Sequence, residues 1–320
     1  MIIRPLLRAF AILAVFLTGC VEEPAPRLRI GSFQRPGFEP LFLARSLGYY
    51  DERRIQLVEF PTAAEMLLAW RNRAIDGATV TTDDVLRLAA EGQALRIVMV
   101  LNSSNGGDAV LARPELRDIA ALKGRKVAVE SNALGGYLLA RALDTAGLTL
   151  ADVKIVSARV DRVGLDLSIG NVDAVVAYEP HRTRIMRQGV AQIFDSSKIP
   201  GEISGVLIVP TPLADKPTAA LRELTAGWFR ALTFLRHNPA DAGARLAARE
   251  GLAPEQFHEA LELVKFATFA DQRPALGSPD APLLANMRRM ADFMARAGML
   301  ASEADPAPLR SASLFPEPRR

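Results

Sequence analysis

The 320-residue sequence predicts an α/β protein of two lobes, each built on its own sheet, with a cleft between them and a helical C-terminal region. Three observations predict it. From Arg27 to Leu101, short apolar runs alternate with amphipathic helices, the pattern of parallel strands joined by crossover helices. The alternation starts afresh at Lys126 and continues to Asp195. After one more strand, the chain from Thr218 onward is almost wholly helical.

The elements follow in order. Arg27 to Phe33, Ile55 to Phe60, Gly77 to Thr81 and Leu95 to Leu101 read as strands. Between them, Pro36 to Leu47 (with Leu41, Leu43, Ala44 and Leu47 on one face), Ala63 to Ala74 and Asp83 to Ala90 read as helices. In the second unit the strands are Lys126 to Glu130, Val153 to Ala158, Val172 to Tyr178 and Gln192 to Asp195. Its helices are Ala133 to Ala146, Val163 to Ile169 and Arg182 to Arg187. Gly205 to Val209 is a strand, followed by helices Thr218 to Arg236, Pro239 to Arg249, Pro254 to Ala267 and Pro282 to Ala297.

A chain that leaves the first unit, builds a second and returns forms a discontinuous first lobe. The crossings are expected near Leu111 to Pro114 and Ile203 to Val206, so residues 28–112 and 205–301 form lobe one and residues 113–204 form lobe two. Residues 302–320, Pro-rich and aperiodic, are expected to be a loose tail. Ligands of such sheets sit beyond the carboxyl ends of strands, where helix N-termini point inward.

The N-terminus carries its own signal. Arg4 and Arg8, the apolar run Phe10 to Leu17 and then Leu17-Thr18-Gly19-Cys20 make residues 1–19 a lipoprotein signal peptide. Cys20, the sole cysteine, is the expected site of acylation, and residues 20–27 are the spacer. Acyl chains would then hold the protein on the extracytoplasmic side of a membrane. One cysteine excludes internal disulfides and cysteine-based metal sites, and no cofactor or metal motif is present. Without Arg4 and Arg8 there remain 37 basic and 36 acidic residues, which gives no electrostatic case for nucleic acid.

The strand-end loops supply the candidate ligand contacts. After the first strand, Ser32 and Phe38 are candidates, with Phe33 and Phe38 serving either as a stacking surface or as lobe core. Thr81, Thr82 and Asp83 either cap a helix, with Thr82 as the N-cap, or bind ligand. Ser104 and Asp108 lie in a glycine-bearing turn that lets the backbone approach a ligand. Ser131, Asn132, Gly135, Gly136 and Tyr137 open a helix whose free N–H groups suit a polar solute. Glu179 and Glu202 could bind a cation or remain ordinary loop acids. Three histidines, and no H-E-x-x-H or G-x-S-x-G motif, leave no catalytic constellation to assemble, so no enzyme is expected.

Several stretches resemble one family. They are Glu39-Pro40-Leu41-Phe42-Leu43-Ala44-Arg45 with Leu47-Gly48-Tyr49-Tyr50, Asp76-Gly77-Ala78, Leu122 to Val129 with Gly136-Tyr137-Leu138-Leu139, and Val172-Asp173-Ala174-Val175 with Tyr178-Glu179-Pro180-His181. Over residues 28–240 the chain is similar to the nitrate/sulfonate/taurine and thiamine-pyrimidine-precursor binding proteins of ABC transporters. The resemblance implies a type II periplasmic-binding-protein fold, a small-molecule ligand between the lobes, and ABC permease and ATPase subunits as partners. Enzyme relatives include a pyrimidine synthase with a cysteine-rich motif that this chain lacks after Cys20.

The strand-end acids Asp83, Asp108, Glu179 and Glu202, set against Arg35 as the main positive candidate, favour an N–H-rich or cationic solute such as an aminopyrimidine or amine. A sulfonate or nitrate held by helix N-termini is the alternative. A ligand-presenting sensory lipoprotein and an exported enzyme of the same fold are the remaining classes.

Overall fold

The computed structural model describes residues 27–130, 133–159 and 162–316. The signal segment 1–19, Cys20, spacer residues 21–26, Ser131 and Asn132 lie outside the described residues. In chain order the main elements are β1 (Leu28–Phe33), α1 (Pro40–Ser46), β2 (Ile55–Phe60), α2 (Ala63–Arg71), β3 (Gly77–Thr81), α3 (Thr82–Ala90), β4 (Leu95–Ser104) and β5 (Asp108–Ala112). Then come β6 (Lys126–Glu130), α4 (Ala133–Asp144), β7 (Lys154–Ala158), α5 (Val163–Ser168), β8 (Ala174–Tyr178), α6 (His181–Met186), β9 (Ala191–Asp195) and β10 (Ser204–Pro210). The C-terminal part holds α7 (Thr211–Asp215), α8 (Ala219–His237), α9 (Pro239–Leu246), α10 (Pro254–Glu262), β11 (Val264–Phe266), α11 (Phe269–Gly277) and α12 (Pro282–Arg296).

Two sheets result. The first runs β11-β4-β10-β3-β1-β2, with β1, β2 and β3 parallel and β10 inserted antiparallel between β3 and β4. The second runs β7-β6-β8-β5-β9, with β6, β7 and β8 parallel and β5 antiparallel to both its neighbours. β3 (GATVT) is buried along its whole length, as expected of a strand covered on both faces. This is the α/β type II binding-protein architecture with a helical C-terminal region.

The strand β5 corrects the expected boundary. The chain changes sheets at residues 105–107, not at Leu111 to Pro114, so Asp108–Ala112 belongs to the second sheet. The turn permits this. Gly106 has φ +113°, and a Cβ there would lie 3.0 Å from Leu263 Cδ2. The two crossings are bonded together, because Gly106 N donates to Ser196 Oγ at 2.8 Å and Ser104 N to the Ile203 carbonyl at 2.9 Å.

Two further expectations change. The helix placed over Pro254 to Ala267 stops at Glu262, and Val264–Phe266 pairs antiparallel with β4, whose edge needs a partner. The tail is attached as far as residue 316. Ser311 N donates to the Ile97 carbonyl at 2.8 Å, Ser313 Oγ to that of Ala214 at 2.6 Å, and Leu309, Leu314 and Phe315 are buried. Each such side chain contributes about 1.5–3 kcal/mol when buried, and their irregular spacing carries no periodic signature.

Candidate functional site

The site forms where strand ends of the two sheets meet. Arg35 follows β1, and Asp108 opens β5 directly opposite Tyr178 in the β5–β8 ladder. Arg35 Nη2 donates to Asp108 Oδ1 at 2.9 Å and Oδ2 at 2.8 Å, with side chains 11% and 3% exposed. The same guanidinium lies 5.1 Å from the Tyr178 ring centroid. Glu130, at the end of β6, lies near enough to act on the Tyr178 hydroxyl. Asp108, Glu130, Gly135 and Tyr178 line one cavity, while Arg35, Asn102, Ser104, Asp108 and Glu179 line its neighbour. Each encloses about 10 Å³, room for a single water, so the two halves are closed upon each other.

Burial sets the electrostatics. It opposes charge on Arg35, yet Asp108, Tyr178 and Asp83 outweigh it and hold the guanidinium more firmly protonated than usual. Burial, reinforced by Glu130, pushes the Tyr178 hydroxyl up. Burial also raises Asp83, against the Thr81 hydroxyl that donates to its Oδ1 at 2.5 Å and the charges of Arg87 and Arg35. Asp84 is pushed up to about 8 by burial and by Asp83. The pair at the start of α3 therefore keeps a proton at neutral pH.

The expected contacts divide. Asp108 and Gly135 share the first cavity, and Ser104, Asp108 and Glu179 the second. Asp83 stands within electrostatic reach of Arg35. Thr81, not Thr82, occupies the N-cap position of α3, and the Thr82 hydroxyl points to Met290 Sδ at 3.7 Å. Ser104 Oγ contacts Ser196 Oγ at 2.7 Å and accepts from Asp108 N at 3.2 Å, so it shapes the crossing. Glu179 is held by Arg182 at 3.0 Å and Thr183 Oγ1 at 2.9 Å.

Five residues leave the expected set for stated reasons. Phe38 is fully buried, edge-on to Phe33 at 5.5 Å, in the lobe core. Ser32 accepts the Thr79 hydroxyl at 2.9 Å and lines a separate outer pocket with Arg249. Gly136 backs onto Met299, whose Cε would lie 3.0 Å from a Cβ there. Tyr137 turns away from the cleft to donate to Glu202 Oε2 at 2.5 Å. Glu202 also accepts from Arg141 Nε at 2.9 Å and Arg289 Nη1 at 2.7 Å, which occupies its carboxylate. Glu130, Tyr178 and Asn102 were not singled out as ligand contacts in the sequence. The detectable signal is position, for Glu130 and Tyr178 end β6 and β8 and Asn102 lies two residues before the end of β4.

Two sheets with a doubled crossing and a polar, closed cleft between strand ends define the type II class of periplasmic binding proteins. The chain belongs to the NMT1-like family, whose model matches residues 21–249. It is 28% identical over 272 residues, 82% of this chain and 81% of the relative, to the "Putative aliphatic sulfonates-binding protein" of Escherichia coli K12. It is 24% identical over 279 residues, 84% of this chain and 85% of the relative, to the "Putative thiamine biosynthesis protein" of Haemophilus influenzae. The crystal structure of the periplasmic aliphatic sulphonate binding protein SsuA from E. coli superposes with TM-score 0.78 at 23% identity, covering 91% of this chain and 99% of that one. The desulfurization enzyme DSZB shares the fold with TM-score 0.66 at 16% identity, covering 90% and 98%. Among the described residues no helix is long and apolar enough to cross a membrane, and no group of three or more acidic, His or Cys side chains could hold a metal.

Proposed function

We propose that this chain is an extracytoplasmic solute-binding protein that closes on an N–H-rich or cationic small molecule, such as an aminopyrimidine or amine, and delivers it to an ABC permease and its ATPase. Acylated Cys20 would tether it to the membrane. One observation carries the choice of solute. Arg35 is already engaged by both oxygens of Asp108, with Asp83 beside it and Glu130 on the adjoining cavity wall. Two carboxyl groups, Asp108 and Asp83, act on one guanidinium, and a third stands in the adjoining cavity. A solute amine complements the excess, whereas an anion must displace Asp108 from Arg35 and leave a carboxylate buried beside it.

A sulfonate is the second reading, supported by the 28% identity to the E. coli relative and by Gly135 of the α4 N-terminal turn lining the cleft. Thermal unfolding of the purified protein against amines, aminopyrimidines, alkanesulfonates and nitrate separates the two. A bound solute at a hundredfold excess over its Kd stabilises by about 2.7 kcal/mol. Stabilisation by amines or aminopyrimidines alone is the expected result. Stabilisation by sulfonates alone moves the assignment to the second reading, and no shift with any of them counts against solute binding.

A further inference from the structure

Glu39 and Glu250 are both fully buried, and Glu39 lies near enough to act on the ionisation of Glu250. Glu39 leads into α1, and Glu250 sits in the turn after α9. Glu39 Oε1 and both Glu250 side-chain oxygens have no hydrogen-bond partner among the described residues. Two buried carboxylates near one another repel, and uptake of a proton by either relieves the repulsion.

The charges around them do not balance. Arg249 Nε donates to Glu39 Oε2 and Nη1 to Glu59 Oε2, each at 2.9 Å, and Arg45 holds the other Glu59 oxygen at 3.0 Å. Tyr50 also lies in this neighbourhood, its hydroxyl directed at the Leu41 carbonyl. With all three carboxyls ionised, two guanidiniums leave one negative charge in excess, and one proton on the pair removes it. The further cation facing Glu250 comes from the other lobe, for Arg184 of α6 donates Nη2 to the Glu250 carbonyl oxygen. Gly251, at φ +61°, makes room for it, because a Cβ there would fall 2.7 Å from Arg184 Nη2.

We propose that the Glu39–Glu250 pair and Arg184 form a proton-linked latch between the lobes, gripping when the pair is charged and loosening when it is protonated. Burial drives both carboxyls up, and Glu250 rises further beside Glu39, while Arg249 and Arg184 oppose the rise at Glu250. Closure, which brings Arg184 to the turn, therefore favours loss of a proton from the pair, and by linkage acid favours opening. The latch rests on the reading of the chain as a closing clamp. Its test uses no solute, so a wrong ligand class leaves it standing.

Thermal unfolding of the full chain, wild type and the variants Arg184→Gln, Glu250→Gln and the double, is compared at about pH 5 and about pH 8. Arg184→Gln should lower the melting temperature more at the higher pH, and that difference should vanish in the Glu250→Gln background. An equal lowering at both pH values in the wild-type background overturns the proposal. Should Glu250→Gln fail to fold, Glu39→Gln removes the other half of the pair and carries the same comparison. Small-angle scattering should show the wild-type radius of gyration rising on acidification and that of the Gln variant unchanged; a wild-type radius independent of pH also overturns it.

Discussion

Arg35 and Asp108 join the two sheets at the cleft. One guanidinium nitrogen lies 2.9 and 2.8 Å from the two oxygens of a carboxylate that begins the first strand of the other sheet. Both side chains are buried, so the pair holds its geometry only while the two halves remain together.

Glu202 makes a second tie, behind the cleft. It receives Tyr137 and Arg141 from α4 and Arg289 from α12. Replacing it by Ala leaves the buried Tyr137 hydroxyl without its acceptor, and the stability measured by urea unfolding should fall by about 1–3 kcal/mol.

The same residue predicts an acid response. Burial pushes the Glu202 carboxyl up, but Arg141, Tyr137 and Arg289 outweigh it and hold the group below its usual value. Its contribution is therefore present above the unfolded carboxylate pKa and lost as pH falls through the lowered folded one. Glu202→Gln should flatten the acid limb of a plot of melting temperature against pH. An unchanged limb would exclude Glu202 as its source.

Asp84 predicts the opposite slope. Its carboxyl is raised to about 8, chiefly by burial and then by Asp83, so the folded state holds a proton that the unfolded chain releases near pH 4. Stability from this pair should fall as pH rises from about 4 toward 8. Asp84→Asn removes the group that must ionise in the interior, so its melting temperature should fall less than that of the wild type over this range.

Gly106 fixes the first crossing. Ala at φ +113°, with its Cβ 3.0 Å from Leu263, is strained in both backbone and packing. Gly106→Ala should cost more than about 1 kcal/mol in urea unfolding, and a neutral substitution would show that the turn is not constrained.

Much of the fold is legible in the sequence because the buried stretches of parallel strands are short and weakly polar, as in Gly77–Thr81 and the Val127-Ala128-Val129 centre of β6. What stayed hidden depends on long-range pairing. Asp108–Ala112 follows β4 after a three-residue turn and looks like its continuation, and only the β5–β8 ladder assigns it to the other sheet. That ladder places Asp108 against Tyr178 and so against Arg35, which lies 73 residues earlier in the chain. From sequence Glu202 is a candidate ligand contact or a loop acid, and its structural role stays hidden because its three partners come from helices that start and end far from it. Tyr137 was placed correctly on its helix, but its rotation about the axis is set by Glu202 and Phe293, which no local pattern encodes.

The most direct measurement is calorimetric titration of the wild type and Asp108→Asn with the solute that stabilises the protein best. If the cleft recognises N–H donors or positive charge, removing one hydrogen-bonded charge worth about 1.5–3 kcal/mol should weaken binding at least tenfold. Unchanged affinity, or tighter binding of an anion by a released Arg35, would contradict the account.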